Sequence, residues 1–302
     1  MRRLSCLKTS RFIDDLIVFK RGIPAHRIQS KRSMSLSMAS AGPGIALLVV
    51  LIGQLPLRAE VLWEGDPSKG RKVFNNLNFE GGERHSRGSG TILPAKDRVH
   101  GEIWRVHKPA ADKRAEIRGA AGWSDHQGKG GLMKQEVTCY LGWRYKFAMP
   151  RKTKKSWACF QWKSYPDPRN PDGYNQNYPF VMTYNGENLA LTLHGPDWTK
   201  HRDRIAKVWS QPVKIGEWVD IVLAVRPSRD EKKGYVEIYF NGKLQTLESG
   251  GTRVHGKTMD GLEVAPKWGV YGGGAIGMEI TVDLADLRIG TDLESVQPEP
   301  LR

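Results

Sequence analysis

From about residue 60 to residue 295 the chain alternates apolar and polar residues over short stretches, the period of half-buried strands. In "TCYLGWRYKFAMP" (138–150), Leu141, Trp143, Tyr145 and Phe147 fall on one face. "PFVMTYNGENLALTL" (179–193) and "GYVEIYFNGKLQTL" (234–247) each read as two strands around an Asn-Gly turn, a strong hairpin signal. "WVDIVLAVRP" (218–227) is a strand closed by proline, and "KWGVYGG" and "MEITVDLADLRIG" supply the last ones. Only "HRDRIAKVW" (201–209) carries a short helical stripe. Many short strands between turns predict an antiparallel sandwich or barrel, one domain over 60–295. The end, "ESVQPEPLR", reads as disordered, with 296–302 outside the domain.

Three of the predicted strands have an unusual polar face. In "SWACFQWKSY" (156–165), alternation sets Ala158, Phe160 and Trp162 on an apolar face and Cys159, Gln161 and Lys163 opposite. "RAEIR" (114–118) sets Arg114, Glu116 and Arg118 against Ala115 and Ile117. "KWGVY" (267–271) sets Lys267, Gly269 and Tyr271 against Trp268 and Val270. Solvated strand faces favour Thr, Lys, Glu and Ser. Arg-x-Glu-x-Arg instead offers two forks able to grip carboxylates, with a carboxylate between to hold them.

Residues 1–59 read as a presequence. A basic, small-residue lead, "QSKRSMSLSMAS", precedes the apolar run "GIALLVVLIGQL" and then "LRAE", with Ala59 suited to a cleavage site. The run is short for a transmembrane helix, although an uncleaved anchor is the alternative. Translation starting at Met34 or Met38 would give the ordinary signal-peptide layout, and a mature chain beginning near Glu60 is expected to be secreted or periplasmic. This changes the charge. The whole chain has 47 Lys/Arg and 32 Asp/Glu, net +15; residues 1–59 hold 10 and 2 of these, leaving about +7. A modest basic bias suits an anionic partner or plain solubility. The basic clusters at 144–155 and 200–207 contain no nucleic-acid motif. Outside the presequence, Cys139 and Cys159 are either bridged or two buried thiols. They lie on neighbouring predicted strands, but a centred hairpin register would not set them opposite each other.

RAEIR, then Gln-x-Lys, then K-x-G-x-Y resembles the jelly-roll polysaccharide lyases. Those include alginate lyases with R-S/T-E-L-R, Q-I/V-H and Y-F-K-A-G-x-Y motifs. The framework "YLGWRYKFAMP", "WACFQWK", "GEWVDIVLAVRPS", "GYVEIYFNGK" and "PKWGVYGG" is more similar still to the glucuronan lyase and heparin lyase I group, over roughly residues 95–290. The resemblance implies an all-β, concanavalin-like β-sandwich jelly roll of two antiparallel sheets with a concave substrate groove. It implies β-elimination on a uronic-acid polysaccharide such as glucuronan, alginate or a heparin-type polymer. Neutralising the uronate carboxylate stabilises the enolate-like intermediate. A base then takes the C5 proton and an acid protonates the leaving O4.

Carried over, Arg114 and Arg118 bind uronate, Glu116 orients them, Gln161 neutralises the carboxylate and Lys267 is a further substrate-binding residue. Tyr271 is the acid, with the base role also open to it. The phenol's ordinary pKa of about 10 then calls for cations nearby. Lys163 departs from the pattern, standing where relatives have His. Either Lys163 replaces the base, or His107 or His194 fills the role, or catalysis is lost. In "NPDGYNQNYP" (170–179), Tyr174 and Tyr178 are candidates to stack on sugar rings. Of the ten tryptophans, Trp157, Trp198 and Trp209 included, most are expected in the core.

No cofactor is required by this chemistry. Asp283 and Asp286 are candidates for a structural Ca²⁺ such as some relatives hold, although two carboxylates are few for that ion. The expected partner is an anionic polysaccharide. Nucleic acid and a stable membrane partner beyond the signal peptide are not expected, and a monomer is. Two other functions fit the fold. A hydrolase would need paired carboxylates, but "GEWVDIV" sets Glu217 and Asp220 on opposite strand faces. A non-catalytic carbohydrate-binding module would keep the groove without a working base.

Overall fold

The computed structural model describes residues 59–83, 86–124, 133–165, 178–194 and 205–299. Contacts divide the chain into Met1–Gly53 and Gln54–Arg302, and every described residue belongs to the second unit. The presequence expectation, Tyr174 and Trp198 lie outside the described residues.

In chain order the strands are β1 (Val61–Glu64), β2 (Phe74–Gly81), β3 (Thr91–Asp97), β4 (Gly101–Lys108), β5 (Asp112–Ala120), β6 (Cys139–Ala148), β7 (Trp157–Tyr165) and β8 (Phe180–Tyr184). They continue as β9 (Asn188–His194), β10 (Ile205–Pro212), β11 (Trp218–Arg226), β12 (Tyr235–Phe240), β13 (Lys243–Leu244), β14 (Arg253–His255), β15 (Glu263–Tyr271) and β16 (Ile280–Gly290). One short helix, α1 (Leu293–Val296), follows.

Nine strands form one sheet, in the order β13-β12-β11-β6-β16-β4-β3 with β1 beside β16 and β14 beside β12. Seven form the other, β10-β9-β8-β7-β15-β5-β2. Neighbours are antiparallel in both sheets. This is the expected sandwich of two antiparallel sheets.

The core lies between them. Leu141, Trp143, Tyr145 and Phe147 of β6 are all fully buried, as their alternation predicts. Trp143 stacks on Phe160 of β7 with centroids 4.9 Å apart, and Phe147 stacks on Tyr184 of β8 at 4.2 Å. Each ring pair joins one sheet to the other. Trp157 and Trp209 are also buried in this layer. Both Asn-Gly hairpins form, as β8–β9 and β12–β13. In the second, Asn241 and Gly242 both have positive φ, 48° and 76°, as a two-residue hairpin turn requires.

The structure departs from the sequence expectations in three places. The segment given a helical stripe is strand β10 from Ile205 onward, paired to β9. Cys139 and Cys159 are not on neighbouring strands, because β6 and β7 belong to different sheets; both are buried free thiols. The chain end is ordered through α1. Asp292 and Ser295 cap it reciprocally, and Val296 is fully buried. Gly142 of β6 leaves room, since a Cβ there would sit 2.0 Å from the Val296 carbonyl oxygen. A four-residue helix is too short to persist alone. Burying one valine contributes about 1.5 kcal/mol or more, and the polar residues around it conceal that anchor in the sequence.

Candidate functional site

The outer face of the seven-stranded sheet collects the three polar faces. β15 lies between β5 and β7. In register, Lys267 stands beside Arg118 and Gln161, Gly269 beside Glu116, and Tyr271 beside Arg114. Gly269 is required where it is. Its φ is 139°, and a Cβ would approach the Ala115 carbonyl oxygen to 2.3 Å. It falls at a bulge against β7 that separates Lys267 from Tyr271 along the groove.

Glu116 is the hub. It is almost completely buried, and it accepts from Lys267 Nζ at 2.8 Å and pairs with Arg114 Nε at 3.3 Å. Its other oxygen accepts the amide of Gln161. A carboxylate buried this deeply needs such partners, and in return it fixes all three. Arg114 also meets Glu80 of β2 at 3.3 Å, and Glu80 pairs with Lys113 at 2.9 Å. The Arg114 guanidinium lies 3.8 Å from the centre of the Tyr271 ring, a cation–π contact that sets the ring's place. Arg118 is held differently, donating from Nε to the Tyr165 hydroxyl at 3.0 Å.

Two cavities open here. The smaller, about 150 Å³, is lined by Arg114, Arg118, Lys163, Lys267, Gln161 and Tyr271, together with Asn78 and Tyr178. The larger, about 340 Å³, shares Gln161, Tyr178 and Tyr271 and adds His194, Thr183 and Thr192. The first is thus a cationic pocket, and the second holds a phenol and an imidazole. Burial, then the charges of Lys267, Arg118 and Arg114, push the Lys163 ammonium down to about 8. Burial also lowers Lys267, with Glu116 opposing. Burial lowers His194 to about 4, so its ring is neutral at ordinary pH. Its ring meets Tyr178 edge-on at 4.4 Å.

The model of the family described as polysaccharide lyase matches residues 90–282. The chain belongs to that family. No curated protein matches it. Among solved structures, a family 7 alginate lyase in complex with substrate is similar at TM-score 0.50 and 12% identity, over 74% of this chain and 95% of that one. An endo-β-1,4-glucuronan lyase from the fungus Trichoderma reesei is similar at TM-score 0.48 and 14% identity, over 75% and 99%. A marine alginate lyase from Zobellia galactanivorans is similar at TM-score 0.44 and 15% identity, over 72% and 95%.

In this polysaccharide lyase the expected residues Arg114, Arg118, Gln161, Lys163, Lys267, Tyr178 and Tyr271 all line one cavity, with Glu116 buried among them. Several arrangements differ from expectation. Glu116 holds Arg114, Lys267 and Gln161, while Arg118 leans on Tyr165. A bulge in β7 between Ala158 and Phe160 turns Cys159 into the core and leaves Ala158 lining the larger cavity. Beyond the bulge, Gln161 and Lys163 keep the expected side. Of the two histidines, His194 lines the cavity, whereas His107 sits on β4 of the other sheet, 3.0 Å from Glu279. The calcium candidates do not fit a metal. Asp283 is held by Arg105 at 2.8 Å and Lys146 at 3.3 Å, and Asp286 by Arg144 at 3.4 Å. Cations occupy the oxygens an ion would need. Glu217 and Asp220 likewise bind Lys214 and Arg144, the latter within the nine-stranded sheet, away from the groove.

The sequence reading missed Glu80, Asn78, Lys113 and Tyr165. Tyr165 had a signal, since it continues the alternation of Gln161 and Lys163 by one more step.

Proposed function

We propose that this lyase cleaves a uronic-acid polymer of the glucuronan, alginate or heparin type by β-elimination, after export from the cytoplasm. The observation that carries the substrate class is the small cavity, which Arg114, Arg118, Lys163 and Lys267 line together, with Glu116 buried among them. Such a pocket fits the carboxylate of a uronate. The cations stabilise negative charge as it spreads from C5 into the carboxylate, which makes the C5 proton removable. Gln161 gives one amide hydrogen to Glu116 and has a second for the substrate.

Tyr271 borders both cavities and donates the proton that O4 needs as it leaves. His194, neutral and in the same cavity, takes the proton from C5. A carboxylate entering beside the imidazole raises its basicity. A second reading makes Lys163 the base, favoured by its lowering to about 8. The two readings part on one pair of variants. Lys163→Arg keeps the charge but cannot release a proton, so it spares kcat on the first reading and abolishes it on the second. His194→Gln does the reverse. Export rests on the basic lead and apolar run before Glu60, and the amino terminus of the exported protein would check it.

An ultraviolet scan with glucuronan, alginate, heparin and pectate tests the reaction. β-Elimination leaves an unsaturated, absorbing uronate at each new end; absorbance rising with one polymer names the substrate. New reducing ends without absorbance would refute elimination.

A further inference from the structure

β2 forms the edge of the seven-stranded sheet, beyond β5. Its Asn76 and Asn78 stand in register beside Arg118 and Glu116, so they extend the polar face by one strand. A third cavity, about 510 Å³, opens along this edge. Arg71, Asn76, Asn78 and Arg87 line it, and it shares Asn78 with the small cationic cavity. The three cavities therefore form one run across the strands, joined at Tyr271 and Gln161 on one side and at Asn78 on the other. With neighbouring strands about 4.8 Å apart, β2 is roughly 14 Å from β7, a span that needs several sugar rings to cross. Arg71 and Arg87 are exposed, and neither has a carboxylate partner among the described residues. That sets them apart from Arg114 and Lys113 next door, which share Glu80.

We infer that the β2 edge is a second anion subsite, where Arg71 and Arg87 hold the carboxylate of a uronate several rings from the bond being cleaved. The inference rests on the uronate reading above and adds that the enzyme reads length. Two guanidinium forks suit a carboxylate, and the amides of Asn76 and Asn78 can each donate to and accept from ring hydroxyls. A polymer long enough to reach both subsites is bound more tightly than a short oligomer held only at the small cavity.

The test compares the full chain with its R71A/R87A double variant on whichever polyuronate it cleaves, and on oligomers of that polymer down to the trisaccharide. The expected result is a KM for polymer raised about tenfold, a deficit that shrinks as the substrate is shortened, and partial recovery with lysine at both positions. Retardation of both proteins in a gel cast with the polymer gives the same comparison without turnover. An unchanged KM, or an equal deficit at every length, would overturn the subsite while leaving the uronate reading intact. A parent protein that neither cleaves nor is retarded by any polyuronate would overturn both.

Discussion

The two sheets each carry a cluster of charges on the outer face, and the clusters are built to opposite ends. On the nine-stranded sheet Arg105, Arg144 and Lys146 meet Asp97, Asp220, Asp283 and Asp286. Every cation there faces a carboxylate across a strand boundary, and Arg144 also donates to the Glu299 carbonyl that ends the described chain. On the seven-stranded sheet Lys113, Arg114 and Lys267 pair with Glu80 and Glu116, and Arg118 and Lys163 line the same cavity, with the charge of Asp260 acting on Lys163. The first network is closed and slightly acidic, and it ties down the strands and the C-terminal segment. The second holds a surplus of positive charge beside cavities. Keeping like charges together costs stability unless an anion arrives to relieve them. An imbalance of this kind separates a binding surface from a structural one more cleanly than the number of charged residues does.

The sharpest way to separate the two is Tyr271→Phe. The ring stays under Arg114, but its hydroxyl is gone. We expect kcat on the substrate polymer to fall by about 10³, the size of a lost proton-transfer group, with no change in melting temperature. A fall of less than tenfold in the ultraviolet rate would remove Tyr271 from the acid role. The counterpart on the other sheet is Arg144→Ala, which leaves Asp220 and Asp286 facing each other with no cation between them. We expect a loss of about 3 kcal/mol in urea unfolding, because a buried partner has been taken away. Activity per folded molecule should persist. If activity vanished while the protein stayed folded, the division of labour between the sheets would be wrong.

How far the sequence reveals this contrast depends on how regular each strand is. The core face of β6, both Asn-Gly hairpins and the groove residues of β5 and β15 follow from simple alternation, which burial enforces on one face. β7 breaks the rule at its bulge, so Ala158 and Cys159 exchange sides while Gln161 and Lys163 do not. β2, "FNNLNFEG", is an edge strand in which Asn76, Asn78 and Glu80 alternate with Leu77 and Phe79, but the run is short and the buried Phe74 falls in phase with the polar residues, which masks it. β10 is also an edge strand, and a register shift between Lys207 and Trp209 disturbs its period. The partners of Asp283 and Asp286 could not be read at all. Arg105, Lys146 and Arg144 reach them from β4 and β6, and Asp286 stands in a bulge of β16 with φ of 52°. Local spacing shows which residues share a face. It does not show which charges meet across strands, and those meetings decide whether a carboxylate waits for a metal or is already paired.

The finest test of the surplus is its dependence on pH at Lys163. With its pKa lowered to about 8, this ammonium is charged at neutral pH and loses its charge as pH rises through about 8. The unfolded chain keeps the ordinary value of 10.5, so between about 8 and 10.5 the unfolded state binds more protons. Stability therefore rises with pH across that window, as the cost of burying the ammonium and then its crowding by Lys267, Arg118 and Arg114 are relieved. Binding should move the opposite way. One cation fewer faces the uronate, and KM is expected to climb about tenfold between pH 7 and pH 9, roughly the worth of one charge-assisted contact. Lys163→Arg cannot lose its charge in this range, so its KM should stay flat and its gain in stability should disappear. A parent enzyme whose KM and melting temperature rise together above pH 8, beside an arginine variant in which neither does, would show one titration acting with opposite signs on fold and substrate. If KM rose equally in both proteins, the titrating group would lie elsewhere in the groove, and the positive surplus would owe nothing to Lys163.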